Sequence, residues 1–266
     1  MEGITLGQYL PVQSAIHRLD PRSKFISAVF IIVAALTAGW AGLGSAALAA
    51  GAGVYLSRIP AGVLLLQIKS LWFIIVLTFL LQVLLTPGEI LYAAGPLLIT
   101  AQGLYAGLDL LTRLIIVICA GIILTATTSS LSLAAGMEAL FKPLGRLGVP
   151  VHEIVMAVTI AMRFVPVILE EARVIMNAQA SRGAGFYGPG LAKRAGALVS
   201  IMVPLLAGAF RRSEELATAM EARCYRGGAG RTRMNVLSFS AGDVVLMAVS
   251  GFILAVAVIE RVAPVL

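Results

Sequence analysis

The sequence predicts an all-α integral membrane protein with about five transmembrane helices and three further helices at or below the membrane surface, two of them long. Composition is the first reason: of 266 residues 59% are hydrophobic and 12% charged, where a soluble domain carries about 25% charged residues. Charge placement is the second. The net charge is +7, and thirteen of the twenty lysines and arginines lie between Glu138 and Ser240. Because lysine and arginine accumulate on the inner side of a membrane, that stretch is expected in the cytoplasm. The chain then divides into a cytoplasmic N-terminal segment (1–24), a membrane domain of about four spans (25–130), cytoplasmic helices (131–235) and a last span (241–260).

The N-terminal segment has no leader pattern, since its charges surround Leu19 instead of preceding an apolar core and a cleavage site. Arg18, Arg22 and Lys24 stand just before the first apolar run, which argues for a cytoplasmic N-terminus. Asp20-Pro21 reads as a helix start, with the aspartate as N-cap and proline at the first helical position. His17 has no second ligand nearby in sequence and is expected to be a surface or capping residue.

From Phe25 to Ser57 no residue is charged, enough for two short spans turning near Gly39 to Gly44. Arg58 and Lys69 mark a return to the inner side, Ser70 to Thr86 makes a third span, and Thr86-Pro87-Gly88 closes it. An apolar stretch to Thr100 is expected at the interface. Gln102 to Thr128 is the fourth span, and it carries Asp109 and Arg113 on one helical face. Ionisable residues within a span are functional candidates, but a self-neutralising pair near a helix end is the simpler expectation.

Beyond Ser129 the pattern becomes amphipathic. Glu138, Lys142 and Arg146 recur every four residues over Ser132 to Leu147, predicting one surface helix. Two long helices follow, from about Val151 to Arg182 with Pro166 inside and from about Leu191 to Cys224 with Pro204 inside, joined by a glycine-rich turn from Gly183 to Gly190. Glu170, Arg173 and Asn177 make a polar stripe on the first. On the second, Arg211 and Arg212 can pair with Glu214 and Glu215. Ile168, Ile175 and Ala178 on the first and Leu206, Phe210, Ala217 and Met220 on the second give apolar sides. Some of that area packs helix on helix; the remainder, exposed, is the mark of a partner. Asp243 to Glu260 makes the last span. Cys119 and Cys224 are expected as packing residues, with neither a disulfide between them nor a metal-ligand spacing.

The two long helices end alike: Ala178-Gln179-Ala180-Ser181-Arg182-Gly183 and Ala219-Met220-Glu221-Ala222-Arg223-Cys224. An arginine before a glycine at a helix end is an ordinary stop signal, because the cation complements the helix dipole and glycine takes the left-handed cap. Two copies in one membrane protein point further, since a guanidinium can bind carboxylates or carbonyls of another chain in a fixed geometry.

Together with Ile16-His17-Arg18-Leu19-Asp20-Pro21-Arg22-Ser23-Lys24 and Arg163-Phe164-Val165-Pro166 followed by Glu170-Glu171, these endings resemble the transmembrane T component of energy-coupling factor (ECF) transporters, the EcfT/CbiQ-like family. The resemblance covers essentially the whole chain in the right order. It implies a multi-pass protein of a bacterial or archaeal cell membrane whose two long helices are crossing coupling helices. Their arginine motifs, here Ser181-Arg182-Gly183 and Ala222-Arg223-Cys224, each dock on one of two ABC ATPase subunits. The apolar faces named above hold a substrate-binding membrane S component, which carries a vitamin or a transition-metal ion. The second motif departs from the family pattern at Cys224, where glycine is usual, and Arg226-Gly227 offers an alternative ending.

On this reading the chain is a non-catalytic subunit with no cofactor of its own, ATP being bound by its partners. The sequence has no G-x-x-x-x-G-K-[ST] phosphate loop. A nucleic-acid partner is not expected, since the basic segment carries no such motif and its charges are mixed with glutamates. A stand-alone secondary carrier would show inverted halves with broken helices at the midplane, and a membrane enzyme would need clustered acids, histidines or a metal set. A conventional ABC permease is the nearest alternative, but two unlike docking motifs on one chain favour the ECF arrangement.

Overall fold

The computed structural model describes residues 10, 12, 14–94, 97–184, 191–227 and 237–262. In chain order its helices are α1 (Pro21–Thr37), α2 (Trp40–Ser57), α3 (Ala61–Ser70), α4 (Trp72–Leu85), α5 (Ala101–Thr127), α6 (Ser130–Phe141), α7 (Val151–Ser181), α8 (Leu191–Ala222) and α9 (Ala241–Val262). Strands β1 (Ile90–Ala94) and β2 (Leu97–Thr100) lie between α4 and α5. The chain forms two compact units, one of Met1–Ala139 with Asn235–Leu266 and one of Leu140–Met234.

The first unit is built on α1, α2, α5 and α9, which pack on one another. Its centre is made largely of small side chains: Ala34, Ala35, Ala38, Ala46, Ala50 and Ala257 are buried together with Leu43, Ile116 and Ile253. Small residues let helix backbones approach closely, which is how helices associate where lipid removes the hydrophobic drive. Cys119, half-buried on α5, packs against this cluster.

Local side-chain caps set the starts of α1 and α5. Asp20 caps α1 by accepting from the Arg22 amide at 2.8 Å, with Pro21 in the first turn, as expected. Thr100 caps α5, its hydroxyl oxygen accepting from the Gly103 amide at 3.0 Å and donating to the Thr86 carbonyl at 2.8 Å. The turn between α1 and α2 falls at Ala38-Gly39, at the near edge of the expected region. Arg113 on α5 clamps one side of it. Its guanidinium holds Asp109 at 2.6 Å and donates to the carbonyls of Ala35 and Ala38, the latter at 2.7 Å. A cation thus sits on the carbonyl end of α1, while on the other side Glu260 of α9 accepts from the Ala41 and Gly42 amides that open α2. Gly42 is needed for that approach: a Cβ there would lie 2.8 Å from the Ala38 Cβ and 3.2 Å from the Ala257 Cα.

Asp243 is the other organising residue of this unit. It is fully buried and accepts from the Asp20 amide at 2.8 Å, from the Ser23 hydroxyl, and from the amide and hydroxyl of Ser240, both at 2.7 Å. The carboxylate at once closes the first turn of α9 and ties it to the start of α1. Ser240-x-x-Asp243 is the capping-box pattern, in which the third helical residue reaches back to the cap.

The structure adds detail to three expectations and corrects a fourth. The third span, expected over Ser70–Thr86, is α4, and α3 before it meets it at Leu71 with a bend of 58°. The apolar stretch before Thr100 forms an antiparallel hairpin, pairing Ile90 with Thr100 and Ala94 with Leu97. The surface helix over Ser132–Leu147 ends as an α-helix at Phe141 and continues as a 3-10 turn, Lys142–Leu147, because Pro143 has no amide to donate and clashes with the preceding turn. Glu138, Lys142 and Arg146 therefore do not share one helical face. His17, expected as a surface or capping residue, is half-buried, and its ring bonds the Ser14 hydroxyl at 2.7 Å and the Leu10 carbonyl at 3.0 Å.

By length and apolar composition α5, α7 and α9 could each cross a membrane, and the bent pair α3–α4 would make a fourth span. Helices α1 and α2, of 17 and 18 residues, rise about 26 Å each at 1.5 Å per residue, close to the thickness of a hydrocarbon core.

Candidate functional site

The second unit consists of the 3-10 turn and the two long helices α7 and α8, which pack on each other. Pro166 and Pro204 lie inside them. Along α8, Ala197 and Gly208 are buried and Arg212, Leu216 and Met220 half-buried; along α7, Glu171, Ile175 and Gln179 are half-buried. Spacings of four and eleven residues put these positions on one face of each helix. Arg212 pairs across the helices with Glu171, Nη2 to Oε2 at 2.6 Å, and not with Glu214 or Glu215 on its own helix as expected. An i,i+3 pair on an exposed face contributes a few tenths of a kcal/mol, whereas Glu171 offers a partly dehydrated partner.

The two helix ends have the same backbone. In α7 the Gly183 amide donates to the Ala180 carbonyl at 3.0 Å and the Ala184 amide to the Gln179 carbonyl at 3.0 Å, with Gly183 at φ +86°. In α8 the Cys224 amide donates to Glu221 at 2.8 Å and the Tyr225 amide to Met220 at 3.0 Å, with Cys224 at φ +57°. Both are Schellman caps, one residue in the left-handed region closing a 6→1 and a 5→2 bond. Arg182 and Arg223 are therefore equivalent C-caps, and both side chains are exposed. Cys224 adopts the conformation expected of glycine, so its departure from the family pattern leaves the shape of the ending unchanged. Gly227, at φ +81°, lies beyond the end of the helix and does not cap it.

Other sequence-derived candidates divide. Ser181 donates its hydroxyl to the Asn177 carbonyl at 3.1 Å and is exposed, as is Ala222. Cys224 is an exposed thiol and not a packing residue. Of the apolar set, Ile175 and Met220 turn partly inward, while Ile168, Ala178, Leu206, Phe210 and Ala217 remain exposed, Leu206 by 52% and Phe210 by 74%. The exposed apolar surface is wider than that set. Val199 and Val203 continue the Leu206–Phe210 stripe, and Ile154, Val158, Val165 and Leu169 form another on α7. Their three-, four- and seven-residue spacings were the signal that could have named them. The turn expected over Gly183–Gly190 lies outside the described residues beyond Ala184. Among the described residues no group of three or more His, Cys, Asp or Glu side chains could hold a metal ion.

The family described as CbiQ, cobalt transport protein, matches residues 12–235. A relative from Heliobacterium modesticaldum is 47% identical over 253 residues, covering 94% of this chain and 95% of its own. One from Thermosediminibacter oceani is 42% identical over 262 residues, covering 98% and 99%. A third, from Acidaminococcus fermentans, is 43% identical over 250 residues and covers 90% of each. All three are named energy-coupling factor transporter transmembrane protein EcfT. With matches of this extent, the chain belongs to the CbiQ/EcfT family, the transmembrane components of energy-coupling factor transporters.

Proposed function

We propose that the chain is the non-catalytic coupling subunit of an ECF-type importer, set in the cell membrane with its N-terminus in the cytoplasm. It transmits ATP-driven motion of two ABC ATPases to a substrate-binding S component. Arg182 and Arg223 each engage one ATPase, with Ser181, Gly183, Ala222 and Cys224 shaping the two ends. The observation that carries this reading is the identity of the two Schellman caps, which present an exposed guanidinium at the end of each long helix in the same backbone geometry. A simple helix stop needs no such match, because the αL motif and polar side chains close helices equally well.

Movement of the arginine ends reaches the rest of the unit through α7 and α8, which are joined in their C-terminal halves by Arg212 and Glu171. The exposed apolar stripes on the same helices, Ile168 and Ala178 on α7 and Leu206, Phe210 and Ala217 on α8, are the surface offered to the S component; Ile175 and Met220 support it from the inner side. The chain itself would bind neither ATP nor the imported vitamin or metal ion.

Co-purification tests this reading. Tagged protein is co-expressed with its host's ABC ATPase pair as wild type, Arg182→Glu, Arg223→Glu and the double variant. Wild type retains both ATPases and the double variant, still folded in the membrane, retains neither. Retention by the double variant would reduce both arginines to helix caps.

A further inference from the structure

The membrane unit contains a cavity of about 520 Å³ that has no part in the coupling helices. It is lined by α1, α2, α5 and α9, and its wall is almost wholly apolar, with Ile31, Ala49, Gly53, Ile123 and Leu246 among the lining residues. That volume is within the range of a ligand site. Leu56, Val245 and Val249 line it and are themselves exposed, so the cavity opens at the surface of the helix bundle that lipid covers.

Two polar features mark one end. A second cavity of about 490 Å³ shares Ala15 and Leu56 with the first and is lined also by Ser14, Arg18, Tyr55 and Arg58. Arg18 and Arg58 are exposed, and among the described residues neither guanidinium forms a hydrogen bond or ion pair. Arg58 is set there by the end of α2, where it takes the left-handed C-cap conformation at φ +53°. Inside the apolar cavity the hydroxyl of Ser27, 2% exposed, has no hydrogen-bond partner. Lys24, also on the wall, is already committed to the carbonyls of His17 and Thr127 at 3.2 and 3.0 Å.

We propose that this is a binding site for one anionic phospholipid, its phosphate held between Arg18 and Arg58, an ester carbonyl accepting from Ser27, and an acyl chain in the apolar cavity. Charge complementarity chooses the occupant. An apolar slot alone would take any hydrocarbon, but two unpaired guanidinium groups at its mouth call for an anion on the same molecule, and guanidinium is suited to phosphate. Basic pockets between transmembrane helices on the cytoplasmic side are a known form of lipid headgroup site, and the positive-inside distribution places Arg18 and Arg58 on that side.

Native mass spectrometry of the purified full-length chain in maltoside detergent tests the site, with phosphatidylglycerol and phosphatidylcholine of identical acyl chains as probes. At about one basic-residue contact's worth of attraction from each arginine, wild type should prefer phosphatidylglycerol by about thirtyfold. Arg18→Gln with Arg58→Gln, both at exposed positions, should bring phosphatidylglycerol down to the phosphatidylcholine level. Ala52→Phe, which fills the slot, should weaken both lipids. Glycerol 3-phosphate, the headgroup without a chain, should not compete. Equal binding of the two lipids by wild type, a preference that survives loss of both arginines, or competition by glycerol 3-phosphate would each overturn the proposal. Should Ala52→Phe fail to fold, the arginine pair decides alone.

Discussion

Arg212 on α8 reaches across to Glu171 on α7 at 2.6 Å, each side chain less than a third exposed, and is the described ion pair joining the two long helices. Pairs in this partly shielded setting contribute about 1 kcal/mol, more than a fully solvated pair on one helix. Arg212→Ala and Glu171→Ala should each lower the stability of the second unit by about that amount. A double-mutant cycle, read by hydrogen exchange along α7 and α8, should give a coupling of similar size. Additivity of the two changes would mean the pair is incidental.

Cys224 lies in the left-handed region without being a glycine. An L-residue there costs about 1 kcal/mol relative to glycine. Cys224→Gly should therefore strengthen the end of α8 by about that much and slow exchange of the Cys224 and Tyr225 amides, with ATPase retention unchanged. Cys224→Val, β-branched, should do the reverse.

Asp243 gathers four hydrogen bonds in a fully buried position. Asp243→Ala leaves the Asp20 amide and the amide and hydroxyl of Ser240 without their acceptor, while Ser23 keeps the Asp20 carbonyl, at about 3 kcal/mol in total. The expected result is loss of monodisperse protein after extraction. Normal yield and melting temperature would show that α1 and α9 are tied by apolar contact alone.

Gly42 lets α2 approach both Glu260 and the α9 backbone. Gly42→Leu overfills that contact, and overpacking of this kind costs about 1–3 kcal/mol. A fall in thermal stability with no change in ATPase retention is expected, since the defect lies in the first unit and the arginine ends in the second.

Features that depend on neighbours in sequence were legible in the sequence. The Asp20-Pro21 start, the Asp109–Arg113 pair and the two arginine endings each follow from residues within four positions of one another, and the structure has them all. What the sequence hid was long-range. Glu260 reads as the edge of an apolar span, yet it meets amides 218 and 219 residues away. Arg212 reads as a partner of adjacent glutamates until α7 brings Glu171 closer. Asp243 was half legible: its capping-box spacing to Ser240 is local, but its bond to the Asp20 amide spans 223 residues. Pro143 was visible and breaks the surface helix by a local rule. Leu71, where α3 and α4 part, carries no such signal.

Thiol protection tests whether Arg182 and Arg223 end equivalent docking sites. Cys224 already stands beside Arg223 as an exposed thiol; Ser181→Cys in a Cys224→Ser background puts a thiol at the matching end of α7. The rate of maleimide labelling is measured at each position with and without the ABC ATPase pair. Both thiols should be protected when the ATPases are present, by similar factors. Labelling that the ATPases leave unchanged at either end would contradict the account.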